Sequence, residues 1–295
     1  MKRPNFFIVG APKCGTTALY QYLNEHPQIY MSDIKEPAYF RQRSNFKTEA
    51  DYLALFAGAR DEIRLGEATP SYLRSPEATE AIYRFDPDAK IIIMLRDPVS
   101  LMMSTYSQDR VMGREKSPTF AEALANQAGK TEAKWGESSI YKNLPILTDH
   151  VRRYFDRFGR ENVHVIIFDD LKQDPAAVYR NTLVFLQVDP DFMPDFRIVN
   201  ARRQVRSEML QKLLLATGIN VRQMKRTKLA HRLGQIVPEP IRTVPLNLLR
   251  RIYMSEQPAP SIDPQLRREL QAEFAPEVER LSQLLERDLS SWCIS

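Results

Sequence analysis

Phe6-Phe7-Ile8-Val9 runs directly into Gly10-Ala11-Pro12-Lys13-Cys14-Gly15-Thr16-Thr17, and a helical pattern follows from Ala18 to His26. The apolar run reads as a buried strand and the glycines bound a turn. Leu19, Tyr20 and Leu23 share one face of a helix that Pro27 stops. A strand, a Gly-bounded turn and a helix start, in that order, make an anion cradle, because the first N–H groups of the helix have no intrahelical partner and point into the turn. Lys13 adds a full positive charge, and Thr16 and Thr17 add hydroxyl donors. Such a turn suits phosphate or sulfate; the plainer alternative is a lysine-bearing turn that holds no ligand. Cys14 reads as a packing residue of the turn, since no histidine lies near it in sequence to activate its thiol.

Two further stretches extend the pattern. Lys90 to Leu95 is continuously apolar after its first residue, the mark of a parallel strand buried on both faces, and Arg96 stands at its carboxyl end, where open α/β sheets place ligands. Pro98 opens a helix that carries Ser104. Val163 to Phe168 is another strand, ended by Asp169-Asp170, an arrangement open to two readings: a structural turn, or the Mg²⁺ acid of a phosphate-loop NTPase. Together these elements predict an α/β fold with a mainly parallel central sheet flanked by helices.

The spacing of the cradle differs from the commonest phosphate loop, in which lysine follows the second glycine. Here Lys13 precedes Gly15. The stretch Phe7 to Pro27 resembles the 5′-phosphosulfate loop of sulfotransferases that use 3′-phosphoadenosine 5′-phosphosulfate (PAPS), and Arg96 with Ser104 eight residues later matches that family's 3′-phosphate motif. The resemblance continues through Lys35-Glu36-Pro37-Ala38-Tyr39-Phe40, Glu67-Ala68-Thr69-Pro70-Ser71-Tyr72 and the closing Arg287-Asp288-Leu289-Ser290-Ser291-Trp292. It covers most of 5–186 and again 261–292.

The resemblance implies a P-loop-NTPase-like sulfotransferase fold, PAPS as the donor and no metal. Lys13, Cys14, Gly15, Thr16 and Thr17 would bind the 5′-phosphosulfate, Arg96 and Ser104 the 3′-phosphate, and Tyr141 the adenine. Glu36 would be the base for the acceptor, and the proline after it favours an extended, presented carboxylate. Glu67 is a second carboxylate placed to orient or share the proton with Glu36, and Tyr39 and Trp135 are expected to line the acceptor pocket. Arg202, Arg203 or Arg206 would replace the R-K-G segment that cytosolic members carry. Glycosaminoglycan-type members have histidine at Ala38 and lysine at Ala68, and both absences count against a polyanionic sugar acceptor. Leu101 replaces an arginine common in relatives, read there as structural support.

Charge is unevenly spread. The 295 residues carry a net charge of +5, yet between Arg197 and Arg251 thirteen basic residues face only Glu208 and Glu239, so that this segment is +11 and the remainder −6. The expected organisation is a PAPS-binding core over 1–196, a basic helical appendage or cap over 197–260, and C-terminal helices over 261–295 packed on the core, with Pro276 restarting the helix. The appendage suits an anionic partner, either on the rim of the site or as peripheral contact with an anionic surface; a solvated basic face is the plain alternative. No apolar run approaches the ~20 residues of a membrane span, and the segment before the first strand is too short for a signal peptide, which favours the cytoplasm. Two cysteines give neither a disulfide framework nor metal-ligand spacing. The expected acceptor is a small molecule, lipid, carbohydrate or carrier-bound group, and not a nucleic acid. A Mg-dependent kinase or NTPase, or a non-catalytic anion- or membrane-binding protein, stands as the alternative.

Overall fold

The computed structural model describes residues 2–42, 44–130, 139–196, 204–205, 254–255 and 262–293. Two compact units are distinguished. One comprises Met1–Met102, Lys142–Val199 and Pro264–Ser295, and the other Met103–Tyr141 and Asn200–Asp263.

The first unit is built on five strands: β1 (Phe6–Gly10), β2 (Ile29–Met31), β3 (Arg64–Ala68), β4 (Lys90–Leu95) and β5 (Val163–Ile167). Their order is β2-β3-β1-β4-β5 and every pairing is parallel, as expected. Every residue of β1, and all of β4 after Lys90, is buried, which explains why these segments show no polar alternation. From β1 the chain turns toward β2 and β3; from β4 it turns the other way, toward β5. The crevice between the carboxyl ends of β1 and β4 is therefore the switch point of the sheet, the place where parallel α/β sheets bind ligands.

The helices of this unit follow from local signals. In α1 (Thr16–Asn24), Leu19 and Leu23 are buried, as the periodicity requires. The helix α2 (Glu49–Leu53) starts on a capping box made by Thr48 and Asp51, and α3 (Pro76–Phe85) on the Ser75 hydroxyl with proline in its first turn. The helix α4 (Pro98–Val111) begins just after β4; Met103 and the residues after it belong to the second unit. The second unit also contains α5 (Phe120–Ala125), packed through Phe120 against Tyr106 and Tyr141, and a two-residue antiparallel pair, β6 (Gln204–Val205) with β7 (Met254–Ser255).

Back in the first unit come α6 (Thr148–Phe158), α7 (Phe168–Gln173), α8 (Pro175–Leu186) and α9 (Pro264–Leu285). Two local expectations change. Phe168 does not end β5; it opens α7 and carries Asp169 and Asp170 into that helix's first turn. Nor does Pro276 restart a helix, because α9 runs through it unbroken and buries Leu270, Phe274, Val278 and Leu281 along one stripe. That apolar stripe outweighs the hydrogen bond proline removes.

Candidate active site

The cradle takes the shape its residues suggested. Gly15 precedes α1 in the left-handed region at φ 95°, no side chain caps the helix start, and no acidic residue lies in the first turn. A Cβ at Gly15 would fall 2.9 Å from the Phe168 ring, so glycine is required both for its backbone angle and for this close approach. Lys13 is also left-handed, at φ 66°. A non-glycine residue keeps that conformation only where its surroundings hold it. Cys14 points inward and is fully buried; its amide donates to the Ala11 carbonyl at 3.3 Å, and burial pushes the thiol up to about 12. It is a packing residue with an inert thiol.

Arg96 lies beside this loop. The Ala11 amide donates to Met94 O at 2.7 Å, joining the ends of β1 and β4, and Arg96 Nη1 donates to the Lys13 carbonyl at 3.2 Å. The guanidinium is 4.6 Å from the centroid of the Phe168 ring, whose other neighbours include Gly15 and, at 5.0 Å, Lys172 Nζ. Arg96 is buried, with 6% of its surface exposed. Its planar fork suits a phosphate monoester. Asp97 caps α4, accepting from the amides of Val99 and Ser100 at 3.2 and 2.9 Å, and takes Arg267 of α9 at 3.5 Å.

On the same carboxyl edge of the sheet, Glu36 follows β2. Its backbone is left-handed at φ 62° and not extended as the following proline suggests, because its amide is tied to Ala68 O at 3.0 Å; its carboxylate is exposed and paired with Lys35 at 2.7 Å. Glu67 does not touch it. That side chain is fully buried at the end of β3, where it accepts from Tyr52 OH at 2.8 Å, Thr69 Oγ1 at 2.7 Å and Tyr72 OH at 3.1 Å. Burial pushes the Glu67 carboxyl up to about 7 against the opposing effect of these three donors. Tyr39 stacks on Tyr52 with ring centroids 4.2 Å apart.

Ser104 is half-buried on α4, in the second unit. Tyr141, in the same unit, is fully buried, and its hydroxyl donates to Glu115 Oε2 at 3.1 Å; the ring offers no open face for stacking. Trp135, Arg202, Arg203 and nearly all of the basic 197–251 segment lie outside the described residues. The acidic pair is engaged: Asp170 takes Arg287 bidentately at 2.6 and 2.7 Å, and Asp169 takes Lys172 at 2.7 Å and Trp292 Nε1 at 3.3 Å. Two histidines are structural. His26 sits between the Asp189 carbonyl and the Gln28 amide, and half-buried His164 is pushed down by desolvation to about 4. Among the described residues, no cluster of three or more histidines, cysteines or acids is spaced to hold a metal, and no helix is long and apolar enough to cross a membrane.

Sequence reasoning passed over Phe168 and Tyr52. An aromatic just after a strand and a tyrosine within a short polar helix carry no motif; only the sheet order brings the first to Arg96 and the second to Glu67.

An uncapped helix start, a lysine and a buried guanidinium, gathered at the switch point, fit a ligand with two phosphate-like groups. Comparison with known proteins identifies the family of the chain. The sulfotransferase domain family matches residues 3–216. The membrane-associated sulfotransferase kil1 of Dictyostelium discoideum is 35% identical over 118 residues, covering 39% of this chain and 25% of that protein. Heparan sulfate glucosamine 3-O-sulfotransferase 3B1 of Homo sapiens is 32% identical over 177 residues, covering 59% of this chain and 43% of that one. The chain thus spans less than half the length of these curated relatives. A crystal structure of a sulfotransferase from Alicyclobacillus acidocaldarius aligns over 99% of both chains with a TM-score of 0.71 and 32% identity.

Proposed function

The chain belongs to the sulfotransferase domain family, and we propose that it moves a sulfuryl group from PAPS to a hydroxyl or amine of a small-molecule, lipid or carbohydrate acceptor. The observation that carries this reading is the bond from Arg96 to the Lys13 carbonyl, which sets a buried guanidinium beside an uncapped helix start at the switch point of the sheet. One phosphate site at the helix and a second at the arginine suit a nucleotide with separate 5′ and 3′ groups.

When bound, PAPS supplies the sulfuryl group. The chain's own residues do the rest. The amides of Gly15, Thr16 and Thr17, with the threonine hydroxyls, orient the 5′ end, and Lys13 neutralises the charge left on the 5′-phosphate. Arg96 holds the 3′-phosphate, the role that the motif also gives Ser104. Glu36, exposed at the carboxyl edge of the sheet, takes the proton from the acceptor as its oxygen or nitrogen bonds to sulfur. Lys35 holds that carboxylate ready at 2.7 Å.

Two relatives carry names that point to a carbohydrate and to a membrane-associated enzyme. Ala38 and Ala68 stand against a polyanionic sugar, and the basic 197–251 segment suits an anionic, partly apolar acceptor or surface. A calorimetric titration with 3′-phosphoadenosine 5′-phosphate, with and without EDTA, tests the reading. Tight binding that chelator leaves intact supports it; binding that requires Mg²⁺ and prefers ATP overturns it.

A further inference from the structure

Glu67 is fully buried, has no part in the transfer described above and accepts three hydroxyl hydrogen bonds. Two of those hydroxyls are themselves acceptors. Thr69 Oγ1 receives the Ala38 amide at 3.3 Å, and Tyr72 OH receives the Phe40 amide at 3.2 Å. The third hydroxyl belongs to Tyr52, whose ring carries the stacked Tyr39. Three consecutive residues of the segment that follows Glu36 therefore reach the same carboxylate, each through one intermediary.

Resting on the reading of Glu36 as the acceptor's base, we propose that Glu67 is a positioning residue that holds the segment Glu36–Phe40 in shape through the Thr69, Tyr72 and Tyr52 hydroxyls. The direction of the hydrogen bonds supports this. A hydroxyl that takes an amide N–H has one hydrogen left to give, and an ionised carboxylate is acceptor-only, able to take all three. A glutamine would present an NH₂ to one of them and reverse that relay. The segment needs such support, because Glu36 and Ala38 both have left-handed backbones, at φ 62° and 56°. Non-glycine residues keep such angles only where their surroundings over-determine them. Burial pushes the carboxyl up to about 7, a cost that apolar packing at this place would avoid.

Hydrogen exchange of the ligand-free chain tests the anchoring directly. In Glu67→Gln the Ala38 or the Phe40 amide, whichever hydroxyl the new NH₂ faces, should exchange about three- to tenfold faster, the loss expected for one hydrogen bond, while the α1 amides stay unchanged. Thr69→Val should loosen the Ala38 amide, and it carries the test alone should Glu67→Gln not fold. Unchanged exchange at both amides in a folded Glu67→Gln, or at Ala38 in Thr69→Val, overturns the anchoring. The catalytic consequence is read from PAPS turnover. Glu67→Gln should lower kcat about ten- to a hundredfold with 3′-phosphoadenosine 5′-phosphate affinity unchanged, and should cause no further fall in a Glu36→Gln background. An equal fall in both backgrounds overturns action through Glu36. Loosened amides in a protein whose wild type neither turns over PAPS nor binds the nucleotide would support the anchoring and refute the sulfotransferase reading.

Discussion

Arg96 donates from Nη1 to the carbonyl oxygen of Lys13 at 3.2 Å, joining residues 83 positions apart in the chain. One guanidinium thereby fixes the left-handed turn of the cradle while it lies on the Phe168 ring. Arg96→Lys keeps the charge but loses the fork, the stacking and the reach to Lys13. Affinity for 3′-phosphoadenosine 5′-phosphate should fall about 10- to 100-fold, the loss of one or two charge-assisted hydrogen bonds, measured by calorimetry.

Glu36→Gln removes the proposed base without disturbing the cradle. Turnover of PAPS with acceptor should fall by about 10² to 10⁴, and nucleotide affinity should stay within about twofold, since no nucleotide contact is assigned to this residue. Full turnover in this variant, with chemistry rate-limiting, would move the base elsewhere.

The groups facing Glu67 are the hydroxyls of Tyr52, Thr69 and Tyr72, and burial raises its carboxyl to about 7 from an ordinary value of 4.5. Between those two values the folded chain binds more protons than the unfolded one, so this group makes stability fall as pH rises through that window. A separation of this size corresponds to a fall on the order of 3 kcal/mol. Chemical denaturation at the two ends of the window should show it, and Glu67→Gln should flatten the difference.

Gly15→Ala places a methyl 2.9 Å from the Phe168 ring on a backbone at φ 95°. The substitution should cost about 1–3 kcal/mol of stability and weaken nucleotide binding. Pairing it with Phe168→Leu, which relieves the contact but not the backbone angle, should restore only part of the loss; full restoration would assign the requirement for glycine to space alone.

Asp170→Asn tests the NTPase alternative. The carboxylate is held by Arg287 in a partly exposed pair, so its loss should cost no more than about 1 kcal/mol. Nucleotide affinity should not change with or without Mg²⁺. A Mg²⁺-dependent loss of binding would restore the reading of this residue as a metal acid.

Much of this site was legible in sequence because its parts are local. The strand, turn and helix around Gly10 to Thr17 are contiguous in the chain, and Arg96 follows a short apolar run with the length and composition of a buried parallel strand. Two short elements, β2 and α2, carry too few residues to show a period. Glu67 is legible in sequence as a carboxylate that orients or shares the proton with Glu36, but the route proposed for it is not, for a different reason. Its partners come from α2 and from the turn after β3, and its effect passes through hydroxyls to backbone amides, so no spacing of charged residues announces it. The C-terminal proline misled for a third: a rule about an isolated helix gave way to the packing of Leu270, Phe274, Val278 and Leu281.

Ala38 carries a further consequence. Its backbone lies at φ 56°. Glycine enters that region freely, Asn, Asp and His tolerate it, and β-branched or bulky residues resist it. Glycosaminoglycan-type enzymes carry histidine at this place, one of those few. The backbone two residues beyond the proposed base thus restricts the alphabet through which acceptor preference can evolve at position 38: a lineage seeking a new substrate here chooses among a handful of side chains, whatever chemistry the substrate would favour.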